Sequence, residues 1–113
     1  MKEINAYIKP HKLSAVTLAL HGIEGLTGMS LTEVHGFGRS KVRNAPHRLT
    51  DDLMDYVPHV KIEIVCRDDL VETVIQAIQQ NAHTGLQGDG KIYVSPVERA
   101  VRIQTGERGE NAA

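Results

Sequence analysis

Tryptophan is absent from the 113-residue sequence and phenylalanine occurs once. Any core must therefore be built from aliphatic side chains, which say little about a ligand they might enclose. Cysteine also occurs once, which excludes an intrachain disulfide. Cys66 lies in the apolar stretch 61–66 and reads as a small buried hydrophobe. No apolar run approaches the length needed to cross a bilayer, and the first residues lack the basic-then-apolar pattern of a signal peptide, so the expected location is cytoplasmic and not membrane-inserted. A large net charge is missing too. At -1, with 24% charged residues, the chain has neither a global basic field for nucleic acid nor an acidic solvating tail, and partners must be recognised locally. What remains, 41% hydrophobic over 113 residues, fits one domain spanning 1–113 with a modest core.

Within that length the apolar pattern is clear. Residues 3–9 alternate, Ile4, Ala6 and Ile8 against Asn5, Tyr7 and Lys9, the period of a half-buried strand that Pro10 ends. Leu13, Val16 and Leu20 recur at helical spacing, with Gly22 and Gly25 as stops. Residues 29–34 read as a second strand, and Val60, Ile62 and Ile64 mark a third. Between these two strands, residues 38–58 are polar and read as an extended loop of a length that is rarely idle. Leu70, Val71, Val74, Ile75 and Ile78 form the stripe of a second helix, with Asp69 and Glu72 spaced as a capping box and Gly85 past its end. Residues 91–94 give a fourth strand and 97–103 a short terminal one, ahead of a polar tail, 105–113, expected to order only against a ligand or a neighbour. The order βαββαβ predicts an α+β, ferredoxin-like fold with both helices on one face of an antiparallel sheet. The other face, carrying Tyr7, Glu63 and Val65, is too apolar for water and too charged for a core, which points to self-association.

Two glycine-rich segments can carry chemistry. Gly85-Leu86-Gln87-Gly88-Asp89-Gly90-Lys91 has the spacing of a P-loop, but it leaves a helix, enters a strand and continues with Ile92 instead of a hydroxyl residue. The motif match is thus coincidental. A glycine-dense turn followed by a lysine can still cradle phosphate, although on this segment alone an ordinary turn with glycines at positive φ is the stronger explanation. Gly36-Phe37-Gly38-Arg39 pairs close backbone approach with a cation again, and Arg102 supplies a third.

Taken in order along the chain, these segments resemble the PII signalling (nitrogen regulatory protein) family over almost the whole length. The similar stretches include Ile8-Lys9-Pro10, Gly28-Met29, Thr32-Glu33-Val34, Gly36-Phe37-Gly38-Arg39, Val60-Lys61-Ile62-Glu63-Ile64-Val65, Asp68-Asp69-Leu70-Val71-Glu72, Gly88-Asp89-Gly90-Lys91-Ile92 and the ending from Arg102. The resemblance implies a homotrimer with ATP or ADP, with or without magnesium, in each cleft between neighbours. By position, Gly28, Met29, Ser30, Glu63 and Val65 would surround the adenosine. Gly36, Phe37, Gly38, Arg39, Gly88, Asp89, Gly90 and Lys91 would surround the phosphates, and Arg102 would reach in from the adjacent subunit. Residues 39–58 would be the T-loop, which docks on a target transporter or metabolic enzyme, and 104–113 the C-terminal loop. No catalytic or metal-ligating residue is implied.

The sequence departs from the family at Ser40 and His59, where a glutamine and a lysine serve 2-oxoglutarate sensing, and at Tyr7 and Gln104 near the nucleotide. A neutral imidazole replaces a lysine cation poorly, so the 2-oxoglutarate response is expected to be weak or absent. Asp52 stands where many members carry a modifiable tyrosine, with Thr50 near the position of a phosphorylated serine in others, and the loop places Arg43, His47 and Arg48 before Asp51 and Asp52 as a candidate docking surface. The six histidines raise a second function class, a metal-binding or metal-tolerance module of similar fold, although none of them are paired at a ligand spacing. An enzyme finds no support, because no nucleophile is paired with a base.

Overall fold

A computed structural model describes residues 1–36 and 57–113. Its elements run β1 (Lys2–Ile8), α1 (Leu13–His21), β2 (Ser30–Gly36), β3 (Val57–Cys66), α2 (Val71–Ala82) and β4 (Lys91–Pro96), with short 3-10 turns at Pro10–Lys12, Asp68–Leu70 and Glu110–Ala112. The strands form one antiparallel sheet, as the strand and helix periods predict, and its order is β2-β3-β1-β4.

Period-two alternation decides which way each central strand faces. In register, Ile4 lies opposite Ile64, Ala6 opposite Ile62 and Ile8 opposite Val60. All six are buried, together with Val16 and Leu20 of α1 and Val74, Ile78 and Ala82 of α2. Both helices therefore cover the same face. A fully buried Ile or Val contributes about 1.5–3 kcal/mol, so these aliphatic residues suffice without large aromatics.

Three local expectations are corrected. The first concerns the capping box. Helical geometry begins in the turn Asp68–Leu70, so α2 is capped by Leu70 with no side-chain cap hydrogen bond. Asp69 lies inside that turn, its carboxylate 3.3 Å from Arg67 Nε.

The second concerns the long loop, expected to run to Pro58. Val57 and Pro58 already belong to β3, paired with Gly36 and His35. The pairing with β1 ends at Val60, so this end of β3 has a neighbour on one side only and tolerates a proline.

The third concerns residues 97–103, which do not form a strand. The chain turns back on itself instead, with one bridge between Val101 and Arg108. Arg102 N–H donates to the Glu107 carbonyl at 2.8 Å and Gly109 N–H to the Ala100 carbonyl at 3.1 Å. These bonds pair part of the tail's backbone with the segment before it.

Candidate functional site

On the sheet face away from the helices, Ser30, Glu63, Asn5 and Tyr93 stand in one row across the four strands and Thr32, Lys61, Tyr7 and Lys91 in the next. The Tyr7 and Tyr93 rings meet edge to face at 6.2 Å. Lys61 Nζ lies 6.0 Å from the Tyr7 ring centre and 2.8 Å from Glu63; the hydrogen bond to that carboxylate moves the Lys61 pKa upward. In the centre, Asn5 donates to Glu3 at 2.9 Å, while its own oxygen is shut off from solvent with no partner among the described residues.

Where β2 begins, a concavity of about 650 Å³ opens, bounded also by Glu63 and Val65 of β3, Glu3 of β1, and Val97 and Val101 after β4. Gly28, Met29, Ser30, Glu63 and Val65, five positions singled out from the sequence, line it together. The structure adds Glu3, Arg99 and the tail residues Ala112 and Ala113. Sequence patterning gave no signal for Arg99, since it lies within residues 97–103, which read as a terminal strand with no chemistry attached to that position. Arg102 is directed elsewhere: its guanidinium donates to the Asn111 carbonyl at 3.1 Å and stands 3.9 Å from Glu107.

The β4 edge carries the second glycine-rich loop. Gly85, Gly88 and Gly90 all adopt positive φ, as the turn explanation requires. At Gly90 the constraint is absolute, since an added Cβ would stand 1.6 Å from the Tyr7 carbonyl oxygen. Asp89 is folded back into the loop, where its carboxylate accepts hydrogen bonds from the Thr84 and Gly85 amides at 2.8 and 3.1 Å, and from the Thr84 hydroxyl. Lys9 Nζ completes the cluster at 3.1 Å. These donors, led by Thr84, hold the Asp89 carboxyl well below the usual carboxylate range. His59, from β3, contacts the Gly88 carbonyl oxygen through Nε2 at 3.1 Å. Lys91 is exposed on the open face beside Tyr7.

The residues expected around one ligand therefore fall into two groups at opposite edges of the sheet. Gly28–Ser30 flank β2 and Gly88–Lys91 flank β4, with β3 and β1 between them, a span of about 14 Å at the usual strand spacing. Gly36 ends β2, whereas Phe37, Gly38, Arg39, Ser40 and the docking candidates Arg43, His47, Arg48, Asp51 and Asp52 lie outside the described residues. Among the described residues no cluster of three or more His, Cys, Asp or Glu could hold a metal ion, and no helix is long and apolar enough to cross a membrane.

A family model described as nitrogen regulatory protein P-II matches residues 1–107. The chain is 54% identical over 112 residues to the nitrogen regulatory protein P-II of Azospirillum brasilense, covering 99% of both chains. It is equally similar, 54% over 112 residues and 99% of both chains, to that of Rhodospirillum rubrum. Nitrogen regulatory protein P-II 1 of Escherichia coli strain K12 is 49% identical over the same share of both.

Proposed function

Because the chain belongs to the P-II nitrogen regulatory family, we propose that it is a signalling protein that binds ATP or ADP between neighbouring copies of itself and regulates a protein target. The observation that carries this is the division of the site. The start of β2 offers a concavity lined by Gly28, Met29, Ser30, Glu63 and Val65, of a size for an adenosine. The β4 edge offers a glycine loop followed by Lys91, suited to phosphates through backbone N–H groups and one cation. One copy's β4 edge set against the next copy's β2 edge joins the two halves, and a closed ring of three copies satisfies every edge.

In this arrangement Gly88, Gly90 and Lys91 hold the phosphates, together with Gly36, Phe37, Gly38 and Arg39. Arg102 joins them only after leaving Asn111 and Glu107. Magnesium, when present, would offset part of the phosphate charge. The segment that joins β2 to β3, shortened to 39–56 by the start of β3 at Val57, is the docking segment for a transporter or metabolic enzyme. Bound nucleotide redirects that segment only so far as it favours one of its conformers over another. His59 in place of a lysine leaves the dicarboxylate 2-oxoglutarate with one cation fewer, so its effect is weak or absent.

Isothermal titration with ATP, ADP and AMP, with and without magnesium and 2-oxoglutarate, tests the proposal. The expected result is micromolar affinity for ATP or ADP at about one site per chain, lost on Lys91→Ala, with no further heat from 2-oxoglutarate. Absence of binding by all three nucleotides refutes the nucleotide role. A large ATP-dependent response to 2-oxoglutarate refutes the assignment to His59.

A further inference from the structure

We propose that Asp89 is a positioning residue, touching neither nucleotide nor magnesium, and that Lys9 cancels its charge so that the glycine loop faces phosphate as a net cation. The inference rests on the nucleotide function proposed above and assigns roles within that same site. Its basis is an acceptor count. An ionised carboxylate offers about four lone-pair positions, and the chain itself supplies four donors: Thr84 N–H at 2.8 Å and Gly85 N–H at 3.1 Å to Oδ2, the Thr84 hydroxyl and Lys9 Nζ, the latter at 3.1 Å, to Oδ1. No acceptor position is left for a metal or for a ligand hydroxyl.

The Thr84 hydroxyl is equally committed. It donates to Asp89 and accepts from Lys9 Nζ and from Leu86 N–H, each at 3.1 Å, which exhausts one proton and two lone pairs. Lys9 and Asp89 are only 18% and 24% exposed in their side chains, so their pairing is screened less than a surface ion pair.

An uncompensated carboxylate here would sit in the same loop as the phosphate donors and oppose each added phosphate charge. Lys9 arrives from the end of β1 and removes that opposition, leaving Lys91 and the loop amides to face the ligand. The other titratable groups near the carboxylate are His83, after α2, with Nδ1 3.6 Å from Oδ2, and His59 of β3, against the Gly88 carbonyl.

The test combines affinity with a ligand-free readout. In calorimetry, Lys9→Met should weaken ATP binding on the order of tenfold, ADP less and AMP least, because the restored carboxylate charge repels in proportion to phosphate charge. The double variant Lys9→Met/Asp89→Asn should recover most of that graded loss. Equal losses for the three nucleotides, or no recovery in the double variant, overturn the charge-cancelling role.

Independently, a carbon-13 NMR titration of the Asp89 carboxyl in the free protein should show no inflection near the ordinary value of about 3.9, and Thr84→Val should bring the inflection back toward it. An ordinary inflection in the unmodified protein overturns the positioning role. Should the unmodified protein bind none of the nucleotides, the nucleotide function falls and this titration alone decides whether Asp89 organises the loop.

Discussion

Gly90 and Gly28 belong to the same predicted binding set, yet a methyl group added to each meets opposite surroundings. At Gly90, φ is +103° and a Cβ would stand 1.6 Å from the Tyr7 carbonyl oxygen; at Gly28 nothing lies within 4 Å. Gly90→Ala should therefore cost about 2–4 kcal/mol in urea unfolding, whereas Gly28→Ala should change stability by less than about 0.5 kcal/mol and act on nucleotide affinity. The sequence spacing of the loop glycines reads as an ordinary turn and cannot reveal that one of them is required by packing, because the strand pressed against it lies at the other end of the chain. Asp89 was illegible for the same reason. Its counter-charge, Lys9, comes from the end of β1, and a partner so distant leaves no local pattern.

Among the elements, strands and helices were legible wherever a period ran unbroken. The alternation in β1 and β3 and the stripe of α2 each report one buried face, and burial of a face sets both the element and its orientation. What failed were ends. The Asp69 and Glu72 spacing satisfies the capping rule, but the backbone enters α2 through an earlier 3-10 turn, leaving Arg67 extended at its start without a side-chain cap. Arg67→Ser supplies the missing acceptor and should raise stability by about 0.5–1 kcal/mol in thermal or urea denaturation; a loss of stability would mean that the Arg67–Asp69 pair outweighs a cap. The 97–103 segment failed differently. Its apolar residues, among them Ile103, fully exposed, fit a strand, but the backbone of residues 107 and 108 was available as a nearer partner than any free sheet edge.

For the whole molecule, the chain order βαββαβ was enough to predict the layers, since both helices must cover the same apolar face. It did not predict how the site is divided. Which residues occupy which edge follows from the strand order β2-β3-β1-β4, and that order is a property of the crossovers, not of any segment. The open face carries Tyr7, Tyr93, Lys61 and the enclosed Asn5 oxygen, and Tyr93 stands both on that face and on β4, the edge strand that the proposed ring sets against the next copy. Light scattering should return the mass of three chains at micromolar concentration, and Tyr93→Asp, which places a charge in that face, should shift the mass toward one chain while preserving the circular dichroism of the helices. A single-chain mass for the unmodified protein would refute the ring.

The last rung of the β2–β3 ladder, Gly36 opposite Val57, holds two backbone positions about 5 Å apart. Whatever amino-acid sequence joins them starts and finishes at the same place, and changing its length alters closure entropy only slowly. The rung thus works as a socket. What is plugged into it can be exchanged without renegotiating the core, so that, under the docking role proposed above, partner choice and folding can change separately.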